Sequence, residues 1–442
     1  MAAEEWREVL LEDLAAPQRN ALVGGPFGSD LVSSDYMPTG VPVVRGENVS
    51  VGRWVAGDFV FVAPSKAKRL EANTAGPLDI VFTQRGANHF RQVAVVRNDA
   101  PQRFLISQSQ MKLTVDPQKA DPLYIYYAFR APPQQTYLQR NAIQTGVPHT
   151  NLSILRKTPL RIPSVPVQRD IAGFLGAFDD KIELNRRMTE TLESMARTLF
   201  RNWFVDFDPV RSKAEGRPTG LPDDLAALFP GRFGEDGLPS GWTRQPLGAL
   251  FEVSGGNTPS TANPAFWNGP HQWATPKDLS SLTSPVLLRT ERQLSDAGLR
   301  QCSSGLLPPR SLLLSSRAPI GYMAFTVTPT AINQGFAGVI RKETSTAYAW
   351  GWCDANMDVI IGNAGGSTFP EISKSVFRQL LILVPSRPLL QAFGDAAEPL
   401  IARIVASVRE RESLASLRDS LLPKLISGEL RIADAEKRIS AA

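Results

Sequence analysis

Residues 168–205 read QRDIAGFLGAFDDKIELNRRMTETLESMARTLFRNWFV, and this proline-free stretch decides much of the fold. Its apolar residues recur at alternating steps of four and three, which is the spacing of a coiled-coil helix. Asn185 and Thr189 interrupt the pattern in its middle. A helix of about 38 residues is roughly 57 Å long at 1.5 Å per residue, so the stretch predicts a long spacer element. The apolar positions are Ile171, Leu175, Phe178, Ile182, Leu192, Ala196, Leu199 and Trp203.

A second stretch of the same kind lies near the end of the sequence, from about Leu389 to Ser427. Its polar interruption, Ser407 and Arg411, follows Asn185 and Thr189 by 222 residues. Polar residues in such a seam cost stability but fix the register. We therefore predict that the two helices pair antiparallel with their polar positions meeting. The alternative is two amphipathic helices that pack separately on their own domains. The apolar positions are Phe393, Ala397, Leu400, Ile404, Leu414, Leu421 and Leu425.

The same shift of 222 residues extends beyond the helices and indicates an internal repeat. The segment 162–166 (IPSVP) falls on 384–388 (VPSRP), and 77–85 (PLDIVFTQR) resembles 309–317 (PRSLLLSSR) when small gaps are allowed. The predicted order is therefore globular unit, helix, globular unit, helix. Four runs within the globular units are typical of strands: Leu78–Phe82, Val93–Val96, Leu312–Leu314 and Ala337–Ile340.

These patterns predict an α+β chain in which two mixed α/β domains are joined by two long helices. The helices are expected to form an antiparallel coiled coil with a pseudo-twofold repeat. A stretch rich in proline and glycine before residue 240 is interpreted as a surface linker. The final residues are expected to be a short, frayed tail. The predicted boundaries are 1–160 for the first domain, 161–210 for the central helix, 211–240 for the linker, 241–380 for the second domain, 381–430 for the C-terminal helix and 431–442 for the tail.

The composition is that of a mildly basic protein. The formal net charge is +5 and the isoelectric point is about 9.2, which is compatible with a polyanionic partner without proving one. Two cysteines, Cys302 and Cys353, cannot build a disulfide framework or a four-cysteine zinc site. The most apolar stretch, Ser311–Ile320, holds Arg317 and is half the length of roughly 20 residues that a bilayer-spanning helix needs. With no signal-peptide pattern at the start, we expect a cytoplasmic protein and no membrane partner.

The sequence lacks the motifs of enzymes that act on DNA. It has no Asp/Asn-Pro-Pro-Tyr/Phe motif to hold a flipped base and no Gly-x-x-x-x-Gly-Lys-Ser/Thr loop to hold ATP phosphates. Asp206 and Asp208 are not followed by Glu-x-Lys at nuclease spacing, so we interpret them as helix-end residues. We expect no catalytic residue, no metal site and no cofactor in this chain. A fused or degenerate nuclease or methyltransferase is the rival hypothesis.

Two sets of loop motifs resemble one known family, in order and in duplicate. The first unit carries GGPFGSDL from residue 24, VRGENV from residue 44 and DIVFTQRGANHFRQVAVV from residue 79. The second carries GGNTPSTANPAFWNGPHQWATPKDLS from residue 255, LLLSSRAPIGYMAF from residue 312 and INQGF from residue 332. With the central helix and the close LRDSLLPKLISGELRI, nearly the whole chain resembles the specificity subunit of type I restriction-modification systems. Residues 88–91 (NHFR) depart from the family's usual Ile-Gly or Val-Gly, which Ile320 and Gly321 keep.

The resemblance implies a role for each part of the chain. Each globular unit would be a target-recognition domain that reads one half of a split, asymmetric site in double-stranded DNA. The helices would dock two methyltransferase subunits, and motor-nuclease subunits would complete the restriction enzyme. S-adenosylmethionine, ATP and magnesium would act on those partners. Two alternatives stay open: the same role in a related system whose partner fuses methylation and cleavage, and a helical adaptor that no longer binds DNA.

Candidate DNA contacts are polar side chains on loops, because bases are read by paired donors and acceptors and phosphates by separate groups. For any one of them, the alternative is an ordinary solvated residue or a turn former. Gln108 and Gln334 occupy matching repeat positions, as do Arg85 and Arg317, so a structural role is equally open for these. The candidates in the first unit are Arg45, Lys66, Lys68, Arg69, Arg85, Asn88, His89, Arg91, Arg140, Gln144, His149 and Asn151. Those in the second unit are Lys277, Arg300, Arg310, Arg317, Asn333, Gln334, Ser367 and Thr368.

Three aromatic residues near the end of the central helix, Phe200, Trp203 and Phe204, are candidates for binding the methyltransferase partner. Aromatic side chains are the usual anchors of protein interfaces. The alternative is that they are buried in the helix seam or against a globular unit.

Overall fold

Two long helices pass through two compact units of the chain. A computed structural model describes residues 6–49, 52–86, 89–100, 103–366 and 370–440. Unit 1 comprises Met1–Ile182 with Ser413–Ala442, and unit 2 comprises Glu183–Glu412. The first long helix runs over Val165–Phe204 and the second over Arg387–Ser427. Both helices agree within three residues with the ranges predicted from apolar spacing, so these predictions are confirmed.

Unit 1 is built around two sheets and a strand pair. Its strands are β1 (Arg7–Leu10), β2 (Leu22–Gly24), β3 (Val41–Val44), β4 (Val60–Val62), β5 (Thr74–Ala75), β6 (Ile80–Thr83), β7 (Val93–Val95), β8 (Phe104–Ile106), β9 (Gln110–Leu113) and β10 (Pro159–Ile162). One sheet has the order β2-β9-β6-β7 and is antiparallel. The other has the order β4-β3-β8-β5, with β3 parallel to β8. Strand β1 pairs antiparallel with β10, directly before the first long helix.

Short helices complete unit 1 and pack on its two sheets. They span Gly46–Val49, Pro64–Arg69, Pro122–Arg130, Pro132–Asn141 and Leu152–Arg156. The helix Pro122–Arg130 begins at a favourable signal, because Asp121 accepts a hydrogen bond from the Tyr124 amide at 2.9 Å and proline follows it. Six of its nine residues are buried. They share one hydrophobic core with β6, β9 and parts of both long helices, including Leu175 and Leu425.

Unit 2 has a five-stranded sheet, a three-stranded sheet and a strand pair. Its strands are β11 (Thr243–Pro246), β12 (Phe251–Ser254), β13 (Trp267–Ala274), β14 (Val286–Leu287), β15 (Arg292–Leu294), β16 (Leu312–Ser316), β17 (Ile320–Thr326), β18 (Thr330–Ile332), β19 (Phe336–Arg341) and β20 (Leu381–Val384). The larger sheet has the order β12-β19-β16-β17-β14, and the smaller has the order β15-β13-β18. Pairs β13/β18 and β14/β17 are parallel. The four strands predicted from sequence are confirmed as β6, β7, β16 and β19.

Helices from several segments of the chain surround the core of unit 2. They span Asp208–Ala214, Asp223–Ala227, Leu247–Leu250, Pro276–Ser280, Asp296–Arg300, Thr346–Ala355, Met357–Gly362 and Lys374–Gln379. Thr346–Ala355 packs its aromatic residues against β16 and β19 and against both long helices in one hydrophobic cluster. The predicted surface linker, residues 211–240, has more regular structure than the sequence predicts. It forms two of these helices and buries Phe229 against Trp203, with ring centroids 5.2 Å apart.

The long helices contact each other in both units, so the prediction that they pair is confirmed, while the coiled coil with meeting polar positions stays a prediction. In unit 1, Arg418 forms an ion pair with Asp179. In unit 2, Phe204 packs on Phe393 at 5.2 Å, and the Asn185 amide donates to Glu410 at 3.0 Å. Residues late in the first helix thus lie beside residues early in the second, as expected for antiparallel helices.

Three of the polar residues predicted in the helix seam, Asn185, Thr189 and Ser407, are buried, and the two hydroxyl groups donate within their own helices. Thr189 donates to the Asn185 carbonyl at 2.8 Å, and Ser407 donates to the Arg403 carbonyl at 2.9 Å. Nearby, burial raises the pKa of Glu193 to about 7, and Arg197 opposes this shift. Burying polar groups costs desolvation free energy, as expected if polar seam residues fix register at the expense of stability.

The predicted frayed tail is wrong, because residues Ile432–Ser440 form a helix. Ala435 of this helix is fully buried, and Ile432 packs against the core of unit 1. The second long helix ends at Ser427 and is followed by Gly428, whose φ of +78° lies in the left-handed region that glycine adopts without strain. Among the described residues, none of the helices has the length and apolar character required to cross a bilayer.

Candidate nucleic-acid interface

Loops from separate parts of unit 2 meet at the ends of its strands. The glycine-rich loop after β12 contacts the turn between β18 and β19, because Thr258 donates to the Gln334 side chain at 2.8 Å. Gly256 approaches this turn so closely that a Cβ atom there would lie 1.7 Å from the Ile332 carbonyl oxygen. At the end of β16, Arg317 lies 3.4 Å from Glu371. Donors and acceptors from four segments are thus gathered in one polar cluster.

Lys374 lies at the centre of this cluster. Its Nζ donates to the Gln334 carbonyl at 2.6 Å and to Ser316 Oγ at 3.3 Å, and lies 3.5 Å from a carboxylate oxygen of Glu371. Burial lowers the pKa of Lys374, and the neighbouring Glu371 carboxylate opposes that shift. The ammonium group is therefore held by specific partners inside the cluster, with its side chain only 20% exposed.

The corresponding loops of unit 1 also meet. Gln108 donates to the Gly28 carbonyl, which connects the turn between β8 and β9 to the loop after β2. Arg85 pairs with His149 through an isolated antiparallel bridge. The turn that carries Arg45 is fixed by Asn48, whose side chain accepts from the Arg45 amide at 2.9 Å and donates to the Asp58 carbonyl at 2.9 Å. Arg45 itself forms an ion pair with Glu47.

The predicted DNA contacts fall into several structural groups. The exposed group is Lys68, Arg69, Arg85, Arg91, Arg140, Gln144, Lys277 and Arg300. The partly buried group that belongs to the loop clusters is Arg45, His149, Asn151, Arg317 and Asn333. Asn88, Ser367, Thr368 and the side chain of His89 lie outside the described residues. The structure places Arg85 beside His149, and Arg317 beside the turn next to Asn333. It does not bring all the predicted DNA contacts of either unit together.

Several predicted contacts are engaged by partners within the fold. The Lys66 side chain is only 12% exposed and pairs with Asp35 at 2.8 Å. Arg310 pairs with Glu398 on the second long helix and stacks over Phe325 at 5.6 Å. These positions fit a structural role better than a role in binding DNA. Asn151 caps the helix Leu152–Arg156 by accepting from the Ile154 amide at 2.9 Å, and Asn333 accepts from the Gly335 amide at 2.9 Å.

The aromatic residues proposed as partner anchors are buried in the core of unit 2. Phe200, Trp203 and Phe204 are 2%, 1% and 5% exposed. Their rings pack on Phe393 at centroid distances of 5.9, 5.9 and 5.2 Å. These side chains are therefore not available as surface anchors. The structure agrees with the alternative interpretation, in which they are buried against a globular unit.

Sequence reasoning missed Glu371 and Lys374. The sequence repeat could have indicated Glu371, because the shift of 222 residues places it on His149, which is one of the predicted DNA contacts. Lys374 falls on Leu152, so the repeat gave no indication of its role. Only the folded chain brings its side chain to the Gln334 turn, 40 residues away in sequence.

The geometry defines a class of protein with two units, each of which carries loops with convergent donors and acceptors at the ends of its strands and includes parts of two long helices. Across the described residues no cluster of histidine, cysteine and carboxylate side chains could hold a metal ion. Loops of this kind on a rigid scaffold are typical of recognition sites.

Comparison with known proteins identifies the family. The chain matches the model of the type I restriction modification DNA specificity domain twice, over residues 66–194 and 239–392. These matches cover more than half of its length, so the chain belongs to that family. It is 27% identical over 329 residues to the type I restriction enzyme HindI specificity subunit of Haemophilus influenzae, covering 64% of this chain and 71% of that protein. It is 26% identical over 315 residues to the MjaIX specificity subunit of Methanocaldococcus jannaschii, covering 70% and 69%.

A solved structure shares the fold. The S subunit of a type I restriction-modification system from M. genitalium superposes with a TM-score of 0.61 at 16% identity, covering 96% of both chains. Recognition of DNA targets is the role of this family, so the predicted function as a specificity subunit is confirmed.

Proposed function

We propose that each unit of this chain reads one half of a bipartite, asymmetric DNA target. The observation that carries this proposal is that the two units use one strand order. The order β2-β9-β6-β7 in unit 1 corresponds to β12-β19-β16-β17 in unit 2. In both units, a strand pair also joins the start of the globular part to the strand before a long helix. Two similar folds with different loop residues are suited to reading two different base sequences.

Details of local structure support the same repeat. Leu78 and Arg310, which precede matching strands, both have positive φ values, 63° and 69°. Arg156 donates to the Leu22 carbonyl at 3.4 Å, and its repeat partner Arg378 donates to the Val253 carbonyl at 2.6 Å. Such equivalent contacts favour duplication of one domain over chance similarity of short apolar stretches.

The long helices are proposed to act as the spacer and as the docking site for two methyltransferase subunits. Burial of most predicted seam positions, among them Ile171, Ala196, Ala397 and Leu421, favours a coiled-coil arrangement. Exposed apolar side chains on the first long helix, Leu184 at 57% and Met195 at 51%, are available to a partner.

The chemistry of the complex is assigned to its partners. Methylation with S-adenosylmethionine, and ATP- and Mg²⁺-dependent translocation and cleavage by motor-nuclease subunits, would take place on the other chains. The chain described here would position them on DNA without catalysing a step. A related system whose partner fuses methylation and cleavage would use the same surfaces.

Salt dependence of DNA affinity tests this proposal against the helical adaptor. We expect the complex of this chain with its methyltransferase to lose about 10³-fold or more in affinity for duplex DNA between 50 and 200 mM salt, because phosphate contacts release counterions. Substitution of the exposed Arg85 by glutamine is expected to reduce the logarithmic salt slope by about 1 if that residue contacts a phosphate. Arg217→Gln in the linker, where Arg217 pairs with Glu215, is the matched control and should leave the slope unchanged. Affinity that does not respond to salt would support the adaptor.

A further inference from the structure

We propose that Lys374 positions the base-reading groups of the second unit, holding the Gln334 turn and the Glu371 carboxylate in the geometry that reads one half of the target. This inference rests on the proposed function of unit 2. It adds Lys374, which the sequence patterns do not predict, as a residue that determines base specificity by positioning the groups of the polar cluster.

The first step is the position of the Lys374 ammonium group between loops that are separate in sequence. It binds the backbone of the Gln334 turn, the side chain of Ser316 at the end of β16, and Glu371. Its aliphatic stem packs against the glycine-rich loop, since a Cβ atom at Gly255 would lie 3.3 Å from its Cγ and Cε. One side chain thus fixes four segments relative to one another.

The second step is the chemistry of the groups that Lys374 holds. A carboxylate such as Glu371 accepts from the exocyclic amine of cytosine, and a glutamine side chain pairs with adenine in the major groove. The Gln334 side chain is exposed and oriented by Thr258. Glu371 is also contacted by Arg317, whose guanidinium can pair with guanine. The cluster therefore presents both the acceptors and the donors needed to read a base edge.

The third step separates positioning from general support of the fold. The helix Lys374–Gln379 is attached to the sheet by Arg378, and the equivalent Arg156 makes the same kind of bond in unit 1. Lys374 has no such counterpart, because the repeat places Leu152 there. Lys374 therefore belongs to unit 2 alone and is not part of the support that the two units share, whereas Gln334 and Arg317 occupy loop positions that both units use.

The test is a map of methylated adenines. The full chain and its methyltransferase are expressed together in a host without adenine methylation, and the methylated motif is read from genomic DNA. We expect Lys374→Met, which keeps the stem and removes the ammonium group, to lower base preference about tenfold or more at one or two positions of one half. The other half should be unchanged. Lys374→Arg should restore part of the preference, and Glu371→Gln should affect the same half.

Controls separate this inference from the proposed function. Lys342→Met, at an exposed position of the same unit, should leave both halves intact. A wild-type chain that gives no bipartite motif would refute the proposed function itself. If the wild-type motif is bipartite but Lys374→Met retains full preference in both halves, the positioning role is refuted. It is also refuted if Lys374→Met weakens both halves together with a lower melting temperature, because that result indicates structural support alone.

Discussion

Phe393→Ala is expected to lower the free energy of unfolding of unit 2 by about 3–5 kcal/mol, the usual cost of emptying a buried phenylalanine site. Phe393 is 1% exposed and lies at the start of the second long helix. Its ring packs on Tyr348 at 5.7 Å and on three aromatic rings of the first long helix. Aromatic pairs of this kind add to the loss of buried area, and rigid rings cannot collapse to fill the space.

Thermal unfolding followed by circular dichroism measures the effect. A loss of this size in a unit of this length is expected to lower the melting temperature by about 6–20 °C. Phe393→Leu should cost less, about 1–1.5 kcal/mol, because it preserves more of the volume. Met195→Ala is the control: this residue lies on the long helix but is 51% exposed, so its effect should stay within about 0.5 kcal/mol. An effect of Phe393→Ala as small as the control would mean that the aromatic cluster does not hold the helices together.

Arg418→Met is expected to lower the free energy of unfolding of unit 1 by about 3 kcal/mol, because it leaves a buried carboxylate without its cation. Arg418 and Asp179 are 15% and 9% exposed and connect the two long helices. Asp179 also accepts from the Tyr127 hydroxyl at 2.6 Å, so the substitution leaves it partly satisfied. Burial raises the pKa of Tyr127, with Asp179 adding to the shift, so that hydroxyl remains a donor.

Two further variants define the origin of this effect. Asp419→Asn removes the exposed partner of the same arginine, at 2.8 Å and 59% exposure, and should cost less than about 1 kcal/mol. The double variant Asp179→Asn, Arg418→Met should recover much of the loss, because replacing a buried pair is often nearly neutral. Chemical denaturation of the purified chains compares them. Equal losses for Asp419→Asn and Arg418→Met would contradict a buried ion pair between the helices.

Local periodicity was sufficient to predict the long helices and four strands. Spacing of Ile171, Leu175 and Phe178 determines which face of a helix is apolar, and tertiary packing follows that face. The C-terminal helix was missed because it is short and packs on the core of unit 1 through few apolar residues, among them Ile432 and Ala435. A nine-residue segment has little helical stability of its own, so only packing on unit 1 explains it.

The candidate site was less accessible to sequence reasoning, because a basic residue in a loop does not reveal its partner. The sequence predicts Arg310 as a DNA contact, yet Arg310 pairs with Glu398, 88 residues away. The aromatic residues at the end of the first long helix could not be assigned from sequence either, because an interface with a partner and a hydrophobic core contain similar side chains. In contrast, Arg317 was selected from the motif and lies in the polar cluster that we propose reads DNA.

The central claim, that each unit reads its own half of the target, is tested most directly by exchanging recognition loops. Residues 255–379, a segment that includes Glu371 and Lys374, are replaced by the corresponding segment of a relative with a different target, and methylated adenines are mapped after expression with the methyltransferase. We predict a bipartite motif in which one half changes to that of the relative and the other half and the spacing stay the same. A motif that changes in both halves, or in neither, while the complex still assembles and methylates DNA, would contradict the claim.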